Sequence, residues 1–165
     1  MFQHLTAILF ETKISSSLPD SSSCILIYLV HAITKPLRHF EAVSGNVSDA
    51  ITDSQHSMMR LIRHKAKIDE YTEPYPCIFV VGDSMLEIQE CYVVFMDLHY
   101  KLSYVNCLAV CVQIFTMLKV EDPPASQCFW EFIRGYMFNI GKDKEKFNLA
   151  TKNMVNYLET TASSI

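Results

Sequence analysis

Between Tyr75 and Ile140 the chain passes from two strand-like apolar runs to an almost wholly apolar helical stretch, and then to a second helix introduced by Asp122-Pro123-Pro124. Cys77 to Val81 is dense in strand formers, and Gly82-Asp83 follows as a turn. Gln89 to Leu102 has the two-residue period of a strand. Tyr92, Val94, Met96, Leu98, Tyr100 and Leu102 fall on one side, with Val93, Phe95, Asp97, His99 and Lys101 on the other. The two runs are expected to pair as an antiparallel hairpin across Asp83 to Gln89.

Helical spacing governs what lies on either side. Ser103 suits the N-cap of a helix reaching about Leu118, apolar nearly all round and therefore central. Asp122 is expected to cap the next helix, with the prolines in its first turn and Gly141 after its end. A last helix is expected from about Asp143 to Leu158. Upstream, Ile51, Gln55, Met58, Met59, Ile62 and Ala66 recur at three- and four-residue steps, which predicts a helix from Ser48 or Asp49 to about Ile68. Glu73-Pro74-Tyr75-Pro76 ends it and commits the chain to an extended path.

These elements amount to an α+β fold in which a short antiparallel β-hairpin packs with a helical bundle and the chain is mostly helical overall. Residues 48–165 form this domain, with a helix, the hairpin and three further helices. Residues 1–47 are an N-terminal segment with one buried apolar element, Cys24 to Ile33. That run fits a buried strand or a buried helix. The serines before it and Lys35-Pro36 after it favour the helix.

Composition narrows the classes. With half of 165 residues apolar and 19% charged, the chain has the means to fill a core and is not a disordered tail. A net charge of −4 gives no overall attraction to nucleic acid. The longest apolar run is too short to span a bilayer, and the first residues lack the positive start of a secretory signal. No membrane association is expected, and the location expected is intracellular, cytoplasmic or nuclear. The six cysteines sit within apolar runs, as reduced core residues of an intracellular protein do.

The stretch Cys77 to Asn148 resembles a C-terminal module of multicopy, transposon-associated open reading frames of insects and fishes. Its pattern is the strand containing Tyr92-Val93-Val94-Phe95, the buried helix ending at Phe115 to Leu118, Pro123-Pro124, Trp130-Glu131-Phe132-Ile133, Phe138-Asn139-Ile140, and Phe147. The resemblance implies a shared fold and a transposon-derived origin, and it carries no activity onto particular residues. Zinc-finger-like sequence sometimes precedes that module, but no finger spacing is present in this chain.

Five groupings bear on chemistry. Arg60, Arg63, His64, Lys65 and Lys67 form the one dense basic run. On a helix it would offer Arg60, Arg63 (or His64) and Lys67 to a phosphate backbone or to anionic lipid headgroups, or stand as a solvated face balanced by Asp69, Glu70 and Glu73. Cys107 and Cys111 have the spacing of half a metal site, and also of two packed thiols in an apolar helix. Asp97 and His99 share a strand face, where Cys77 or Cys91 would complete a cysteine-dependent site. Trp130 with Phe129, Phe132 and Tyr136 fits an aromatic cage or, as aromatics at helical spacing usually do, a core. The four glycines form no nucleotide-binding pattern.

The reading that follows is a non-catalytic protein-interaction or self-association module, with a protein partner or a second copy as its ligand and no cofactor or metal. The alternatives are a nucleic-acid-associated protein using Arg60, Arg63, Lys65 and Lys67, and a cysteine-dependent enzyme.

Overall fold

The computed structural model describes residues 31, 47–140, 147 and 149–162. The Cys24 to Ile33 run (His31 apart), the rest of the N-terminal segment 1–46, Gly141 and the expected start of the last helix at Asp143 lie outside the described residues.

The fold is α+β, but the expectation of a short hairpin in a mostly helical bundle is overturned: the centre is a four-stranded mixed sheet. Helix α1 (Val47–Met58) runs directly into strand β1 (Met59–Ile62). A 3-10 turn (Lys65–Glu70) leads to β2 (Glu73–Gly82), then β3 (Ile88–Met96) and β4 (Leu98–Leu102). Strand order follows chain order, with β1 parallel to β2 and the other pairs antiparallel. Helix α2 (Tyr104–Met117) follows, then a 3-10 turn (Pro124–Ser126), α3 (Gln127–Phe132), a π turn (Ile133–Met137) and α4 (Leu149–Ala162).

The expected helix to Ile68 therefore stops ten residues early. Met59 to Ile62 pair with Ile78 to Val81, and strand alternation sends Met59 to one core and Ile62 to the other. A four-residue apolar step satisfies helix and strand patterns alike; the exposed edge of β2 decides between them. Residues 63–72 return over the sheet so that β2 can start parallel to β1. Ile68 and Tyr71 from this return pack on Phe79, Tyr92 and Val94, which closes the sheet's second face.

The expected strand Gln89 to Leu102 is two strands. Met96 adopts φ 54° and the chain doubles back at Asp97, so that Phe95 faces Leu98 and Cys91 faces Leu102. The hairpin of β2 and β3 is as expected, with Val81 opposite Glu90. On the other face of the sheet, Ile78, Val80, Cys91 and Val93 meet α2 and α3 through Leu108, Cys111, Phe115, Phe129 and Trp130.

Helix ends depart from the sequence reading in their chemistry. Ser103 occupies the N-cap position without a side-chain capping bond; its carbonyl accepts from Cys107 N–H at 2.9 Å. Asp122 caps no helix. Its carboxylate receives both Nη atoms of Arg134, one bond being 2.6 Å, and the guanidinium lies 5.8 Å from the Phe115 ring centre. The helical segment that begins at Gln127 ends with Asn139 at φ 54°, where Ile140 N–H reaches the Arg134 carbonyl at 2.9 Å. This closes the turn before Gly141 is reached.

Candidate functional site

Where α1 meets the start of β2 and the Pro123–Ala125 segment, the surface opens into a cleft of about 480 Å³. Its floor is Arg60. The guanidinium meets Glu73 through Nη1–Oε1 at 2.7 Å and Nη2–Oε2 at 3.1 Å, and Nε–H donates to the His56 carbonyl at 3.0 Å. That carbonyl belongs to the last turn of α1 and has no helical partner to accept from, so Arg60 acts as the cap of α1. Tyr71 and Phe79 hold the guanidinium from the side, with ring centres 5.9 and 5.6 Å away. Burial pushes the Glu73 carboxyl above its ordinary range, against the opposing pull of Arg60.

The cleft walls are Pro74, Tyr75, Pro123 and Pro124, with Asp53 and His56 exposed at the rim. Ser57 lines it too, but its Oγ lies 2.9 Å from the Ser54 carbonyl and 2.8 Å from Ser126 Oγ. Its one proton is committed to these neighbours. The arrangement suits holding a small polar group between prolines.

The sequence-predicted basic residues do not gather on one helical face. Arg60 is in β1 and bound to Glu73; Arg63 is exposed in the bend after it; Lys65 and Lys67 lie in the 3-10 turn. Lys65 pairs with Glu90 at 3.3 Å, and Lys101 reaches the same carboxylate at 2.7 Å. Hydrogen bonds from Lys101 first, then Tyr92, bring the Glu90 carboxyl down to about 2. Of the four residues Arg60, Arg63, Lys65 and Lys67, the first and third are thus neutralised by carboxylates of the sheet.

The cysteine-site geometry dissolves in the fold. Asp97 is in the β3–β4 link, and His99 instead donates Nε2–H to the Tyr71 carbonyl, 3.1 Å away, with Nδ1 3.5 Å from Asp69 Oδ1. Cys91 points to the opposite face from His99. Cys77 is buried and its thiol is pushed up to about 12 by that burial; burial, then Cys77 and Cys107 nearby, hold Cys111 well above the ordinary thiol range. All five described cysteines are buried, as expected of core residues. Among the described residues no three His, Cys, Asp or Glu side chains converge on a metal-sized point. Trp130 is fully buried, 4.9 Å from the Phe115 ring and 5.1 Å from Phe129, and these aromatics are core.

The feature that sequence reasoning missed is the outer edge of β4. By register, Leu98, Tyr100 and Leu102 share the face of Phe95, Val93 and Cys91, which is the helix-covered face of the sheet. Cover runs out before the edge: Leu98 is 49% exposed, Tyr100 52%, and Met96 at the end of β3 55%. With the run read as a single strand, the edge could not be seen, and the expected alternation fails across the turn: Leu98, Tyr100 and Leu102 lie on the face opposite Tyr92 and Val94, because the chain doubles back between Met96 and Leu98. No helix among the described residues is long and apolar enough to cross a membrane. Comparison with protein-family models, with curated proteins and with solved structures finds no match.

Proposed function

We propose that this chain is a non-catalytic protein-interaction module of transposon-derived origin, acting inside the cell through the open edge of its sheet. The observation that carries the reading is the apolar edge of β4, where Met96, Leu98 and Tyr100 stand half-exposed beside backbone groups that β3 does not use. Edge strands of this kind pair with added strands unless something blunts them. The polar groups that catalysis would need are engaged otherwise: buried thiols, a committed Ser57 hydroxyl and a tethered His99. The intracellular setting draws on the buried cysteines, which stay reduced there, and the origin draws on the resemblance of residues 77–148.

A proximity-labelling census in the native cell, run with wild type and with Leu98→Lys, tests it. Leu98 is exposed, so the substitution leaves the fold intact. Partners lost in the variant support the reading; an unchanged census refutes it. The nucleic-acid reading draws on exposed Arg63 and Lys67. It is favoured instead if the wild type binds nucleic acid with a steep salt dependence.

A further inference from the structure

The sequence of β4 is Leu98-His99-Tyr100-Lys101-Leu102. It reads nearly the same in both directions, apolar at the ends and centre and basic or imidazole between. An antiparallel pair of identical strands related by a two-fold axis needs this symmetry, because residue i of one copy faces residue j of the other and j faces i. With the axis at Tyr100, Leu98 faces Leu102 of the other copy, Tyr100 faces Tyr100, and His99 faces Lys101.

We propose that β4 pairs antiparallel with β4 of a second copy of this chain about a two-fold axis at Tyr100, joining two four-stranded sheets into one. The inference rests on the interaction role proposed above and names its partner.

Three observations support the register. All three apolar pairs fall on the helix-covered face, so the new contact continues that core across the seam and covers the exposed parts of Leu98 and Tyr100. Aromatic and aliphatic side chains directly opposite one another are the pairs that hold antiparallel strands together. On the other face the polar side chains already have partners: Lys101 is 2.7 Å from Glu90, and His99 is tied to the Tyr71 carbonyl with Asp69 beside it. A lysine on an edge strand ordinarily discourages pairing, and the Glu90 carboxylate, which Lys101 shares with Lys65, lessens that obstacle here. The opposite edge is not self-complementary. Met59-Arg60-Leu61-Ile62 turned on itself would set Arg60 against Leu61, and Arg60 is held by Glu73.

A five-residue seam is smaller than the interfaces of stable, specific complexes, which bury about 1,200–2,000 Å², so the dimer forms by concentration-dependent association. The test uses the full chain. Sedimentation across a concentration series should show a monomer–dimer equilibrium, weakened at least tenfold by Tyr100→Lys, which sets two cations face to face on the axis. Tyr100→Cys should form a covalent dimer under mild oxidation, since its twin is directly opposite, while Leu98→Cys, whose counterpart is Leu102, should crosslink no more than wild type. Circular dichroism and urea unfolding verify that the three variants, each at a half-exposed position, remain folded. A monomer at every concentration overturns the proposal, as does a dimer indifferent to Tyr100→Lys or equal crosslinking of the two cysteine variants. If the wild type is monomeric but its cellular partners are lost in Tyr100→Lys, self-pairing is wrong and the interaction role stands.

Discussion

Arg60 shows how far one side chain can depart from the role its neighbours in sequence suggest. In a run with Arg63, Lys65 and Lys67 it looks like part of a phosphate-binding face; in the fold it neutralises Glu73, caps α1 at the His56 carbonyl and packs on Tyr71 and Phe79. Arg60→Gln leaves a partly buried carboxylate without its cation and should lower stability by about 1–3 kcal/mol in urea unfolding. Arg63→Gln and Lys67→Gln, both exposed, should change it by no more than about 0.5 kcal/mol. The Arg60→Gln deficit should shrink as the pH is lowered into the carboxylate range. A Glu73 carboxyl raised by burial is least costly when protonated, so its burden on the fold appears as the pH rises through its folded pKa.

Element boundaries rest on a few backbone positions whose demands the sequence meets unevenly. After α2, Lys119 takes φ 53°, the left-handed conformation in which helices commonly end and in which glycine is the usual residue. Lys119→Gly should therefore raise stability by about 1 kcal/mol, read from the midpoint of chemical unfolding. Gly82 at the β2–β3 turn is the reverse case. A Cβ there would lie 2.2 Å from the Glu87 carbonyl oxygen, a backbone atom that cannot swing aside, and the register slips by one at this point. Gly82→Ala should cost about 1–3 kcal/mol by the same measurement. Gly82-Asp83 was legible as a turn. The β3–β4 link was not, because Met96 and Asp97 continue the strand alternation and nothing in Met96 marks a positive φ.

Over the whole molecule, His31 ties distant parts of the chain together. It is buried, shares a hydrogen bond with Ser54 of α1 and lies 6.0 Å from the Phe129 ring of α3. Burial lowers its pKa from 6.5 to about 4. The unfolded chain takes a proton near pH 6.5 while the native chain refuses it until about pH 4, so native stability should fall as the pH drops through this window. The whole fall is on the order of 3 kcal/mol. Unfolding free energies measured from pH 7 to 4 in wild type and in His31→Asn test this: the part of the slope owed to His31 should vanish in the variant. The apolar composition that announced a filled core also foretold buried cysteines, and Cys77, Cys91, Cys107, Cys111 and Cys128 all lie inside it. The cleft beside Arg60 had no such signal, since its walls come from residues 53–60, 73–75 and 123–125 and no spacing along the chain relates them.

What the sequence determined by itself were the features whose pattern is complete within a short stretch of chain. The two-residue period of Tyr92 to Phe95, the turn at Gly82-Asp83 and the nearly continuous apolar surface of α2 each speak for themselves within a dozen residues. Tertiary structure decided the rest. Met59 to Ile62 is a strand because Ile78 to Val81 stand ready to bond it. Arg60 and Lys65 are ion-paired because folding brings Glu73 and Glu90 to them. Leu98 and Tyr100 are exposed because α2 and α3 cover the sheet only as far as β3. A helix makes its hydrogen bonds to residues four positions away, so its pattern is written where it is used. A strand makes them to residues that only the completed fold brings near, which is why the sheet's extent and its open edge could not be read along the chain.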